Sequence, residues 1–386
     1  MHMLEKKTCQ GLKIVSLEHY TKESNSSREL LLRGTEDTAQ TKLILAYTTI
    51  YGQRFDITTF HRTSQEKIQF PNPLTQCKYA CTWSTNQSLY NRSDAVLFHL
   101  YNNLDHKDFV YQNLPQRYSS EQKWILMIRE PPAFFYPEQL KMLDDRFNLT
   151  VTFHSSSDVQ IPYGKYWSKR TPRPYRNFAI GRNKLALWMV SNCVTSSRRE
   201  VYVRELQKYL EVDIVGGCLG LFANSTGKYV PLKNVKQKQY KFYLAFENSD
   251  CEEYITEKFW KSLFYGMIPV VRGRRAKYEH FAPPHSFIHA DEFLSAEELA
   301  KYLKRVASNP SLFNQYHKWR NQYLADSRLM TINRQWMCDL CEKVYTSLPK
   351  TVNVYDHFSE DTKCDTYQDA KGRNRTGEHV ENILRL

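Results

Sequence analysis

Short apolar runs set between polar, helix-compatible stretches divide the chain into two successive units. In the first, the runs are Leu43-Ile44-Leu45-Ala46-Tyr47, Ala95-Val96-Leu97-Phe98 and Trp124-Ile125-Leu126-Met127-Ile128, with residues 147–153 as a fourth. Continuous runs of this length mark strands buried on both faces of a parallel sheet. Residues 161–176, rich in Pro, Tyr and Lys/Arg, then break the pattern and read as a linker. The runs resume at 185–190, 212–215, 242–246, 268–271 and 286–288.

Helical spacing fills the intervals. Val203, Leu206 and Leu210 share one face of a predicted helix over 199–210. Ser295-Ala296-Glu297-Glu298 is a capping box ahead of Leu299, Leu303 and Val306. Ser249-Asp250-Cys251-Glu252 has the same form and predicts a second helix start, with Gly266 and Pro269 closing that segment. Strands alternating with helices in two successive units predict an α/β protein of two Rossmann-like domains facing a cleft. The expected boundaries are a stem or disordered lead-in over 1–40, an N-terminal domain over 41–165, a linker over 166–180, a C-terminal domain over 181–350 and a tail over 351–386.

Composition fits two domains. The chain has 386 residues, of which 41% are apolar and 14% aromatic, enough for more than one core. The formal net charge is +13, which favours an anionic partner. Its densest groups, Lys169-Arg170, Arg198-Arg199 and residues 272–275, form no long basic block, and no zinc-finger or RNP spacing accompanies them. Nucleic acid is therefore not the expected partner, and a phosphate-bearing substrate accounts for the charge more economically. No run of 18 apolar residues spans a bilayer, and the N-terminus lacks the apolar core of a signal peptide.

The nine cysteines include two close pairs, Cys77/Cys81 and Cys338/Cys341. They suit either a four-cysteine zinc site or structural disulfides of an oxidising compartment. The sequons at Asn25, Asn86, Asn91, Asn148, Asn224 and Asn374 lean toward the second reading. Cys218 and Cys251 flank the same region of the second unit and are candidates to pair with each other. An odd number leaves at least one thiol outside any intramolecular disulfide.

The richest stretch for chemistry is 241–269, a strand running through a loop into a helix. Ligands of open α/β sheets bind at the carboxyl ends of strands, beside helix N-termini. Glu247, Asn248, Tyr254, Glu257 and Lys258 fall near that position. Lys258 suits a phosphate, and Glu257 suits the hydroxyls of a ribose.

This stretch resembles the donor-binding motif of the α1,3-fucosyltransferases, at Phe242-Tyr243-Leu244, Phe246-Glu247-Asn248-Ser249, Tyr254-Ile255-Thr256-Glu257-Lys258, Gly266, Pro269-Val270-Val271 and Gly273. Looser matches lie upstream at Ser191-Asn192, Arg199, Glu205-Leu206, Val212-Asp213, Gly216 and Asp158 with Pro162-Tyr163-Gly164. Ser155 and Ser156 stand where many members carry two arginines, so that role is absent or supplied elsewhere. The resemblance implies a GT-B fold, with GDP-fucose held in the C-terminal domain and the acceptor in the N-terminal one. It also implies inverting transfer to O3 of a GlcNAc, in the antenna or the core of an N-glycan.

Such a reaction needs a base at the cleft. The resemblance assigns it to Glu130, although Pro131 follows where the family has Ser. It places His99 near the acceptor. Lys258 and Arg199 are then the cations for the leaving diphosphate, with Asn248, Tyr254 and Glu257 beside them, and no metal or cofactor is expected to be required. The cysteine pairs 77/81 and 338/341 also match the family. The implied setting is the Golgi lumen, for a type II membrane protein whose anchor is absent from this chain. The competing expectation is a glycan- or nucleotide-binding protein that keeps the fold without turnover.

Overall fold

The computed structural model describes residues 29–32, 41–50, 55, 77–100, 114–172, 174, 176–218, 235–273, 276–327, 335–359 and 363–365. The first sheet contains β1 (Glu29–Leu32), β2 (Lys42–Ala46), β3 (Cys81–Ser84), β4 (Ala95–Leu100), β5 (Lys123–Ile128), β6 (Leu149–Thr152) and β7 (Val159–Gln160) in the order β1-β3-β2-β4-β5-β6-β7. Its strands are parallel except β1, which runs antiparallel to β3.

After β8 (Lys165–Ser168), a second sheet is built from β9 (Lys184–Met189), β10 (Val212–Val215) and β11 (Tyr240–Leu244). Beyond the two-residue β12 (Asp250–Cys251), it continues with β13 (Ile268–Val271) and β14 (Ile288–His289). The order is β10-β9-β11-β13-β14, all parallel. The remaining strands are β15 (Tyr323–Asp326) and β16 (Cys364–Asp365). The helices are α1 (Pro137–Lys141), α2 (Arg199–Leu206), α3 (Glu257–Phe264), α4 (Tyr278–Phe281), α5 (Ala296–Ser308), α6 (Pro310–Gln315), α7 (Gln335–Thr346) and α8 (Val354–Phe358).

The two parallel sheets are the two α/β domains expected. In each, the first parallel strand lies inside the sheet, so chain order reverses beside it: between β2 and β4 in one, between β9 and β11 in the other. Open α/β sheets bind ligands at the carboxyl ends of strands at such reversals.

The boundaries differ from the expected ones. β1 falls within the presumed stem yet pairs with β3. β8, within the presumed linker, pairs antiparallel with β15. α7 lies within 181–350 but packs on the first sheet: Trp336, Met337 and Leu340 share a core with Ile44, Trp83 and Ile125. α8, in the presumed tail, inserts Val354 and Phe358 among Phe135, Leu140 and Phe153. The chain thus returns to the N-terminal domain after building the C-terminal one, a crossing that local hydrophobic patterning does not encode.

Disulfides fasten this return. The close pairs do not close locally; Cys77 joins Cys338 and Cys81 joins Cys341, stapling α7 to the first sheet. These bonds use the four sulfurs of the zinc alternative. Cys218 and Cys251 do not pair with each other: Cys218 bonds Cys193, and Cys251 bonds Cys364. Cys9 lies outside the described residues.

The Ser249–Glu252 capping box is also corrected. Asp250 and Cys251 are extended against Asp365 and Cys364. The helix begins later, at Glu257, with Thr256 as its N-cap. The Ser295 capping box does start α5, where the Ser295 hydroxyl accepts from Glu298 N at 3.2 Å.

Candidate active site

Glu247 follows the carboxyl end of β11 and is 4% exposed. A buried carboxylate needs donors. It accepts from Thr256 N at 2.8 Å, Thr256 Oγ1 at 2.8 Å and Lys258 Nζ at 2.9 Å. Lys258 also donates to Thr256 Oγ1 at 2.7 Å and lies 3.5 Å from Glu257. Burial depresses the Lys258 ammonium, but Glu247 and Glu257 outweigh it and hold its pKa above the usual lysine value. For Glu257 burial pushes upward; Lys258 and bonds to the helix-start amide overcome it, and the carboxyl stays below its ordinary value. The start of α3 therefore carries an ionised Lys–Glu set on a buried Glu247 base.

The start of α2 supplies a cation to the same place. Arg199, the first residue of α2, is 3% exposed. It donates through Nη1 to Phe246 O at 2.8 Å and through Nη2 to Asn192 O at 3.2 Å. Phe246 follows β11 and Asn192 follows β9, so this guanidinium bridges the reversal of the second sheet. Its pKa is lowered chiefly by burial, against the opposing pull of Glu247 and Glu200. The loop before α2 is laced to the same segment: Ser197 Oγ donates to Glu247 O at 2.7 Å and Ser197 N to Asn248 O at 3.1 Å. Arg272, beyond β13, donates to Ser197 O at 2.7 Å. Asn248 Oδ1 and Arg199 Nε are buried without a hydrogen-bond partner among the described residues.

On the opposite side, Glu130 follows β5 and is half-buried. Arg129 before it is buried; its guanidinium lies 3.9 Å from the Tyr163 ring centroid and donates to Ile161 O. Tyr254 sits between the two sides, with its ring against Phe153 and Tyr163. Its hydroxyl is pushed well above the usual tyrosine range by burial first, then by Tyr163, Glu130, Glu247 and Glu257. One phenol thus feels Glu130 from the first domain and Glu247 and Glu257 from the second.

The structure brings Arg199, Asn248, Glu257 and Lys258 to one place, with Tyr254 and Glu130 adjoining. His99 lies within β4 rather than just beyond it, and its side chain is buried, at 2% exposure. Burial, helped by Arg129, lowers its pKa to about 4. Sequence reasoning gave no role to Thr256, Ser197, Arg129 or Tyr163. Thr256 was readable from its place just before the helix; the others depend on contacts between elements.

Ser155 and Ser156 also find their use. Ser155 donates to Glu253 through N at 2.7 Å and Oγ at 2.6 Å. Ser156 Oγ lies 2.7 Å from His154 Nδ1, and His154 Nε2 is 3.3 Å from Glu252. These contacts tie the β6–β7 turn to the loop before α3. Among the sequons, Asn91 is exposed, and Asn86 caps a short 3₁₀ helix, Gln87–Arg92. Asn148 is held by hydrogen bonds: Oδ1 accepts from Trp124 N and Arg117 Nη1, and Nδ2 donates to Lys350 O at 2.8 Å. Asn25, Asn224 and Asn374 lie outside the described residues.

A cavity of about 640 Å³ beside Gln160, Pro162 and Trp336 is lined by none of these candidates. The candidate residues of the C-terminal domain gather instead at the second sheet's reversal.

Similarity to known proteins runs through both domains. Residues 39–164 match the family model "Fucosyltransferase, N-terminal", and residues 179–360 match "Glycosyltransferase family 10 (fucosyltransferase) C-term". A Rattus norvegicus protein named 4-galactosyl-N-acetylglucosaminide 3-alpha-L-fucosyltransferase 9 is 35% identical over 302 residues, spanning 77% of this chain and 75% of that protein. Alpha-(1,3)-fucosyltransferase C of Drosophila melanogaster is 32% identical over 335 residues, spanning 79% and 73%. A solved structure described as alpha1,3-fucosyltransferase with GDP aligns at 15% identity and TM-score 0.44, over 84% of this chain and 95% of that one. The two family models together cover both α/β domains, and the chain belongs to glycosyltransferase family 10, the fucosyltransferases.

Proposed function

We propose that this protein transfers L-fucose from GDP-fucose to O3 of a GlcNAc residue in a glycan, with inversion at the fucose anomeric carbon and Glu130 as the base. The relatives' names supply the reaction class. The observation that carries the mechanism is the pairing across Tyr254: Glu130 on one side, the Lys258–Glu257–Glu247 set on the other.

In this reading the diphosphate lies at the start of α3, where Lys258 and the helix N-terminus oppose its charge. Arg199 holds the strand-end carbonyls in place and adds positive potential. Glu130 takes the O3 proton as O3 bonds to the anomeric carbon. The bond from that carbon to the β-phosphate oxygen breaks, and GDP leaves with the electron pair. Charge on the leaving group is met by fixed cations rather than by a required metal ion. The Golgi lumen is the proposed setting, consistent with four structural disulfides among the described residues.

The test is GDP release from GDP-fucose with and without a GlcNAc-terminated or lactosamine acceptor, in buffer and in EDTA, followed by NMR of the product. Acceptor-dependent release unaffected by EDTA, with an α1,3 linkage, is expected. Release that ignores the acceptor, or a retained anomeric configuration, contradicts the reading.

A further inference from the structure

We infer that the Pro162-Tyr163-Gly164 turn is a positioning element that sets the Glu130 loop against the donor helix α3. This deepens the reading above and rests on Glu130 as base. Two consecutive residues of the turn, Tyr163 and Gly164, touch both halves of the reaction machinery. Tyr163 donates its hydroxyl to Arg129 O, the carbonyl immediately before Glu130, and its ring carries the Arg129 guanidinium on its face. Arg129 is itself 3% exposed and reaches back to Ile161 O. The backbone entering Glu130 is therefore held by a hydrogen bond and a cation–π contact to Tyr163 and by a return bond to Ile161, the residue before the turn.

The other side of the turn faces the C-terminal domain. The Tyr163 ring meets Tyr254 edge-on, with centroids 6.1 Å apart and planes at 88°. Gly164 lies directly on Trp260 of α3: a Cβ there would stand 2.1 Å from the indole ring. Only glycine permits that approach. Trp260 is 2% exposed and donates through Nε1 to Ile255 O at 3.2 Å, so it cannot swing aside freely. It sits two residues past Lys258 on the same helix. The distance from Glu130 to Lys258 is thus carried by a short, packed path, and displacement by about 1 Å can cost a reaction on the order of 100-fold.

Tyr163→Phe tests this while keeping the ring and its packing. We expect kcat to fall about tenfold, with the Kd for GDP and the KM for GDP-fucose within twofold of wild type. In a Glu130→Gln background, Tyr163→Phe should add no further loss to the residual rate, because it acts through Glu130. Gly164→Ala, which forces Trp260 aside, should lower kcat with GDP still bound. Wild-type kcat in Tyr163→Phe, or the same tenfold loss repeated in the Glu130→Gln background, overturns the inference. Wild-type turnover in Glu130→Gln alone is a separate result: it removes the base assignment itself.

Discussion

In the proposed reading, donor binding turns most directly on Lys258. Its ammonium is fixed by Glu247 and Thr256 and kept charged despite burial. Lys258→Ala should weaken GDP-fucose binding at least tenfold in calorimetry; unchanged affinity removes it from the site. His99 behaves differently. Its folded pKa of about 4 lies below the ordinary value of 6.5, so the unfolded chain binds the proton first as pH falls. The stability from keeping this ring neutral is present above about pH 6.5 and is lost on acidification toward pH 4, by about 3 kcal/mol across that window. Unfolding curves of wild type and His99→Gln should converge as pH drops through this range. A constant separation refutes the assignment. The motif residues Asn248, Tyr254, Glu257 and Lys258 were legible because they cluster along one strand–loop–helix segment. Glu247 was visible there too, but its work as a buried acceptor for three donors depends on Thr256 folding back onto it.

Among the elements, the runs at 212–215 and 268–271 coincide with β10 and β13, because buried parallel strands are continuous apolar segments. The helix start was misread where local and tertiary signals conflict. Ser249–Glu252 has capping-box chemistry, yet Cys251 is drawn into β12 by its bond to Cys364, and the helix waits for Thr256. α7 was legible as a cysteine-bearing segment but not as part of the N-terminal core, since its partners lie some 260 residues earlier. Replacing Cys338 and Cys341 together with Ser should cost several kcal/mol, about 2–5 for each bond. Thermal unfolding under non-reducing conditions reads this. A melting temperature equal to wild type would mean that the staples carry no stability.

At the scale of the molecule, two parallel sheets each present a strand-order reversal, and Arg199, Asn248, Glu257 and Lys258 collect at the second, with Glu130 at the end of β5 in the first. The two-domain α/β plan was readable from the repeat of apolar runs. The return of α7 and α8 to the first domain was not, because nothing in their own periodicity says which sheet they cover. That return, the turn at 162–164 and the Ser155–Glu253 contacts hold the halves together around Glu130 and α3. The most direct test of the central claim is the turnover of Glu130→Gln, measured beside its affinity for GDP. The prediction is a kcat lower by about 100- to 10,000-fold with GDP bound as tightly as in wild type. Wild-type turnover in this variant would contradict the account.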